Sequence, residues 1–228
     1  MKCITLLQEL HANTRRTRIT YRGEVDGTLA AIKCYRRPLF GLIHWLRAER
    51  RGRRLRRAGG PVPEIVYSGW LADQRCFCFA TGFLEGYRPL REVLQGEPSR
   101  DRQFDIIRLL GRTMADIHAR GIEQPDGNLT NFMLGSGDVI ALVDEDDIRV
   151  YPGALAANVA LLNLANIASR LVDPDMVQAL LDAYLAVLPA ERAEAWNQKR
   201  FQASVKSWRQ CLEAKRAKRN IARVRNFD

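Results

Sequence analysis

Two carboxylates and a carboxamide near the middle of the chain have the types and spacing to handle phosphate. They lie in Asp126-Gly-Asn-Leu-Thr-Asn131 and, after an apolar run, in Leu142-Val-Asp144. Asp126 and Asn131 are five residues apart (131 − 126), and Asn131 and Asp144 thirteen (144 − 131). Phosphoryl transfer needs a carboxylate to orient the attacking hydroxyl and take its proton, plus an Asn and an Asp to hold Mg²⁺ across nucleotide phosphates. Asp126, Asn131 and Asp144 offer those groups in that order. The intervening Phe132-Met-Leu and Val139-Ile-Ala-Leu-Val143 segments read as two short buried strands that deliver the polar ends to one cleft.

Upstream, Leu29-Ala-Ala-Ile-Lys33-Cys-Tyr35 is a strand-like apolar run interrupted by one Lys. A Lys in such a run needs an anionic partner, and ATP phosphates and a helix Glu are the expected ones. Glu49, sixteen residues on (49 − 33) in the basic helical segment Leu46 to Ala58, would pair with Lys33 and aim its ammonium at the α/β-phosphates.

The order of Ala-Ile-Lys33, Glu49, Ile117-His118-Ala-Arg-Gly121-Ile122 leading into Asp126 and Asn131, then Val-Asp144, resembles the protein-kinase-like fold. Within that fold the chain is most similar to the small bacterial lipopolysaccharide kinases, which phosphorylate heptose or Kdo sugars of the core. The features that favour this branch are the short chain, the Arg-rich segment around Glu49, Ala58-Gly-Gly-Pro-Val-Pro63-Glu-Ile, and Asp144-Glu-Asp-Asp147 where protein kinases carry Asp-Phe-Gly. The resemblance covers roughly residues 15 to 150 and implies an α+β, two-lobed architecture. It has a small β-rich N-lobe (1–82, a sheet plus one helix) and a mainly helical C-lobe (83–228) with a basic tail. It also implies ATP and Mg²⁺ as cofactors, Asp126 and Lys33 as catalytic residues, Lys33, Glu49, Asn131 and Asp144 around the nucleotide, and Asn131 and Asp144 on the metal.

The chain departs from that pattern in three places. The loop that usually opens His-Gly-Asp or His-Arg-Asp is Gln124-Pro-Asp126, and the position two after the Asp, often Lys, is Asn128. Losing that Lys removes one stabiliser of the transferring phosphoryl charge. No G-x-G-x-x-G precedes Lys33; Ala12-Asn-Thr-Arg-Arg-Thr17 stands there, where arginines would replace backbone amides as phosphate contacts. These departures keep open a catalytically silent, nucleotide-binding pseudokinase, and a kinase of similar fold acting on a protein or small molecule.

A length of 228 residues fits one large domain or two small lobes, and 46% hydrophobic residues suffice for a core. A formal net charge of +10 favours polyanions or an anionic membrane face as partners, with a lipopolysaccharide core precursor as the implied substrate. The basic tail from Lys206 to Arg225 raises a nucleic-acid reading, but with few interleaved aromatics it predicts only salt-sensitive, sequence-blind binding, so nucleic acid is not the expected partner. The apolar stretch at Met1 to Leu10 is too short for a signal peptide and has Arg15-Arg16 on the wrong side, and no apolar run reaches membrane-spanning length. A cytoplasmic protein, peripheral on the inner membrane, is expected. The five cysteines are odd in number, and Cys76 and Cys78 alternate as in a strand, so reduced core thiols are expected rather than a metal cluster.

Each candidate also has an ordinary structural use. A Lys at a strand end can snorkel to water, Asp126 before Gly127 is a common turn pair, Asn131 is a possible cap, and Glu49 among arginines is a possible solvated helix pair. His118, on the long helix expected over Asp101 to Arg120, reads as a packing and hydrogen-bonding residue. Thr81 to Gly86 occupies the place of a kinase hinge, and helices are expected at 41–58, Pro89–Leu94, Ala154–Leu171 and Met176–Leu188, with helical propensity from Glu191 onward.

Overall fold

The computed structural model describes residues 2–171, 173–218 and 227. The chain is mixed α+β, with a five-stranded antiparallel sheet first and mostly helices after it. It divides into two compact units, Met1–Arg57 with Val62–Glu85, and Ala58–Pro61 with Gly86–Asp228.

In the first unit, β1 (Ile4–Ala12), β2 (Arg18–Val25), β3 (Thr28–Tyr35), β4 (Ile65–Leu71) and β5 (Cys76–Gly82) form a sheet of order β1-β2-β3-β5-β4. The β2–β3 hairpin turns on Asp26 (φ 51°) and Gly27 (φ 77°), the left-handed pair that an Asp-Gly turn supplies at low cost. Alternation along β3 sends Ala30, Ile32 and Cys34 into one core with Val25, Leu71, Cys76, Cys78 and Ala80. The opposite face presents Tyr35 and Phe79 to helix α1 (Pro38–Arg57), which packs through Trp45 and Ala48. The Trp45 ring stacks on Phe77 at 4.7 Å and its indole N–H donates to Ser68 Oγ at 2.9 Å.

All five cysteines are free thiols, with Cys3 and Cys211 exposed and the other three buried. A hydrogen bond to Cys76, together with burial, pushes the Cys34 thiol up, and burial pushes Cys78 up to about 12, so both stay protonated.

The second unit contains α2 (Leu90–Gly96), α3 (Arg100–Ala119), α4 (Ala157–Ala168), α5 (Pro174–Leu185), α6 (Ala190–Glu194) and α7 (Gln198–Ala217). Small strand pairs complete it: β6 (Arg88–Pro89) with β8 (Phe132–Gly135) and β9 (Val139–Leu142), and β7 (Ile122–Glu123) with β10 (Arg149–Val150). Helix α3 is capped by Ser99 and buries Ile106, Ile107, Leu110, Met114 and Ile117. At Gly111 a Cβ would run into the Leu180 carbonyl, so only glycine lets α3 and α5 approach this closely.

The segment Ala58–Pro61 belongs to the second unit, not to a continuous residue 1–82 lobe. The physical reason is hydrogen bonding: the Gly59 carbonyl accepts from Arg120 Nη1 at 2.5 Å, and the Pro61 carbonyl from Leu142 N at 2.7 Å. The helical propensity from Glu191 onward is realised, among the described residues, as two helices separated at Trp196-Asn197, where Asn197 accepts from Arg200 N and caps α7. Of the basic tail, Lys215 and Arg216 lie in the last turn of α7, while Arg219, Arg223 and Arg225 lie outside the described residues. No described helix is long and apolar enough to cross a membrane.

Candidate functional site

Within the second unit, Asn131 and Asp144 are brought side by side by a single backbone bond. Strands β8 and β9 pair Phe132 with Leu142, and the register continues one residue further, where Val143 N–H donates to the Asn131 carbonyl at 2.9 Å. Asp144 follows immediately, at φ 59° in the left-handed region. Asp is among the few non-glycine residues that tolerate this conformation, and such strain concentrates at functional positions. Asn131 closes a 3₁₀ turn (Leu129–Asn131) whose first amides are capped by Asn128, its Oδ1 accepting from Thr130 N at 3.1 Å. The backbone positions of the two residues expected on the metal therefore lie close together at the end of one hairpin. Hard oxygen ligands of this kind suit Mg²⁺, which takes one or two protein groups and completes its shell with water and phosphate. Among the described residues no cluster of three or more His, Cys, Asp or Glu side chains suits a metal.

Asp126 lies at the start of the same loop. Its Oδ1 accepts from Asn128 N at 3.1 Å, an Asx turn, and its side chain is half exposed. The turn role foreseen for an Asp-Gly pair is thus real, but Gly127 is present for another reason. A Cβ there would lie 2.8 Å from Asn166 Oδ1 and 2.9 Å from the Asn166 carbonyl carbon, so glycine permits α4 to press against the loop. Asn166 in turn donates from Nδ2 to the Pro125 carbonyl at 2.7 Å.

One helical turn earlier, Asn163 Nδ2 donates to the Gln124 carbonyl at 2.5 Å. Asn163 Oδ1 lies 2.9 Å from His118 Nε2, and His118 Nδ1 lies 3.0 Å from Tyr184 OH. These partners assign the tautomer: Nε2–H donates to Asn163 and Nδ1 accepts from the Tyr184 hydroxyl. Burial pushes the His118 imidazole down to about 4, so the ring is neutral and acts as a strut rather than a base. Its expected packing and hydrogen-bonding role is what the contacts describe.

Neither a protein-family model nor a curated protein matches this sequence.

In the first unit, Lys33 sits opposite Phe79 in the β3–β5 register and shares the α1-covered face with Tyr35, half-buried. Glu49 follows Ala48 on that helix, and its carboxylate accepts from Arg53 Nη2 at 2.9 Å. The i,i+4 pairing foreseen for a Glu among arginines is therefore present. The segment Ala12 to Thr17 is organised by an asparagine side chain: Asn13 Oδ1 accepts from Thr17 N at 2.9 Å and Arg18 N at 3.0 Å. Arg16 is bidentate to Glu9, at 3.0 and 2.7 Å, so its guanidinium is already engaged in holding the turn. Asp147 is exposed and Glu145 buried in the turn after Asp144.

Sequence reasoning missed Asn163 and Asn166. Their signal is the helix Ala-Asn-Val-Ala-Leu-Leu-Asn-Leu-Ala-Asn-Ile-Ala, apolar on nearly every side, in which two asparagines three apart are buried. Buried carboxamides need partners, so a pair of them on a core helix points to a backbone segment being held.

Proposed function

We propose that this protein is an ATP-dependent phosphotransferase of protein-kinase-like fold that acts on a sugar hydroxyl of the lipopolysaccharide inner core. The observation that carries the proposal is the Val143-to-Asn131 hydrogen bond, which brings the backbone of Asn131 close to that of Asp144, itself in the left-handed region, on the chain that follows the anchored Asp126 loop. In this reading Asp126 orients the acceptor hydroxyl and takes its proton, and its clamp through Pro125 and Gln124 keeps the carboxylate in place at no cost during reaction. Asn131 and Asp144 hold Mg²⁺, which when bound would neutralise phosphate charge. Lys33 neutralises nucleotide phosphate charge, and Glu49 on the helix covering its sheet face orients it. The heptose or Kdo acceptor, and a place on the cytoplasmic face of the inner membrane, follow from the resemblance, and the net charge of +10 suits an acceptor rich in phosphate and carboxylate.

Purified protein incubated with γ-labelled ATP, Mg²⁺ and lipopolysaccharide from a strain lacking core phosphate tests this directly. Transfer of label that disappears in Asp126→Ala supports the reading. ATP bound without any ADP formed would favour the second reading, a silent nucleotide-binding module, which Asn128 in place of a cationic residue motivates. ADP formed without labelled lipopolysaccharide would retain the chemistry and discard the acceptor.

A further inference from the structure

We propose that Arg170 is the cation of this site, steadying Asp126 and supplying the positive charge that Asn128 cannot. The inference rests on the phosphotransferase reading. Arg170 Nη2 lies 3.8 Å from Asp126 Oδ1, an electrostatic pair rather than a hydrogen bond. The arginine side chain is only 14% exposed, whereas Asp126 is 50% exposed, so the cation forms the wall of the site and the carboxylate its open edge.

Arg170 is also held on several sides. It follows the end of α4, with its N–H donating to Ile167 O at 3.0 Å. Its carbonyl accepts from Phe227 N at 3.0 Å, and the next carbonyl, of Leu171, accepts from Arg209 on α7. The helix that fixes the loop through Asn163 and Asn166 therefore also presents the charge, four residues after Asn166. A preorganised charge of this kind is worth more than a flexible one, because nothing has to reorganise when the reaction's charge develops.

The chemistry needs such a charge. The acceptor oxygen forms a bond to the γ-phosphorus, the bond from that phosphorus to the β–γ bridging oxygen breaks, and ADP departs with the electron pair. The hydroxyl proton passes to Asp126. Arg170 stays protonated throughout and offsets negative charge on the phosphoryl oxygens beside the carboxylate. In sequence this cation is invisible, forty-four positions from Asp126 (170 − 126).

ADP formation from Mg²⁺-ATP in the presence of lipopolysaccharide from a strain lacking core phosphate, with a sugar hydroxyl or water as the acceptor oxygen, is the readout, measured for wild type, Arg170→Met and Arg170→Lys with melting curves alongside. The expected result is a kcat reduced about 10²-fold or more in Arg170→Met with KM for ATP little changed, partly restored in Arg170→Lys, at similar melting temperatures. Equal kcat in a folded Arg170→Met and wild type would overturn the role of Arg170 while leaving the phosphotransferase standing. If Arg170→Met does not fold, Arg170→Lys decides, since full activity there upholds a cation and activity as low as that of Asp126→Ala rejects it. Wild type that forms no ADP overturns the reading and the inference together.

Discussion

The two units place their candidate residues by different physical means. In the first, Lys33 owes its position to strand alternation and Glu49 to helical spacing, both local rules that operate over a few residues. In the second, the Gln124-Pro125 backbone that leads into Asp126 is held by bonds from Asn163 and Asn166, donated from a helix about forty positions later in the chain. A scaffold built from periodicity can be read from sequence, whereas a loop built from long-range carboxamide clamps cannot. The second unit should accordingly be sensitive to pH and to buried polar chemistry in ways the first is not.

The largest effect should come from breaking the apolar, pattern-built side of the comparison. Ile32 is fully buried among Val25, Cys34 and Cys78 and fills the space above Gly23. Ile32→Ala is expected to cost about 2–5 kcal/mol, read as a lower denaturant midpoint with little change in its dependence on pH.

The polar side is expected to respond to pH through His118. Its folded pKa, about 4, lies below the ordinary 6.5, so the unfolded chain binds the proton more readily. The stabilisation is fully present above pH 6.5 and declines as pH falls toward 4, by up to about 3 kcal/mol for this one group. Melting temperatures across that window should fall for wild type and fall less steeply for His118→Gln. Parallel slopes in the two proteins would mean that the imidazole is not a neutral strut.

The smallest effect sharpens the comparison in the opposite direction. Gln124 is fully buried, and both atoms of its carboxamide have no hydrogen-bond partner among the described residues. Gln124→Met, of similar length and apolar, is expected to raise stability by about 1 kcal/mol, since an unsatisfied buried amide is removed while the backbone carbonyl still accepts from Asn163. A melting temperature lowered by the substitution would show that the carboxamide is satisfied in solution.

Much of the fold follows from short-range signals. The Asp26-Gly27 turn, the strand-like run from Leu29 to Tyr35, and the helical spacing of Ile107, Leu110, Met114 and Ile117 each correspond to an observed element. The two short buried strands expected at Phe132-Met-Leu and Val139 to Val143 were also legible, and they pair with each other as β8 and β9. Other features depended on contacts that no local pattern encodes. Ala58–Pro61 joins the second unit through hydrogen bonds to Arg120 and Leu142, Gly127 is required by the approach of Asn166, and Arg16 is tied to Glu9 across a turn. Arg170 comes to Asp126 by the same kind of distant placement.

The most direct test of the central claim separates nucleotide binding from turnover at Asp126, using Asp144→Asn as a companion because Asn also tolerates the left-handed backbone at that position. ADP formation and Mg²⁺-ATP affinity would be measured on the same samples of wild type, Asp126→Ala and Asp144→Asn. Asp126→Ala is expected to bind Mg²⁺-ATP about as tightly as wild type yet lose on the order of 10³-fold or more in turnover, while Asp144→Asn loses the Mg²⁺-dependent part of the affinity as well. Turnover in Asp126→Ala equal to that of wild type would contradict the assignment of this loop as a phosphotransferase site.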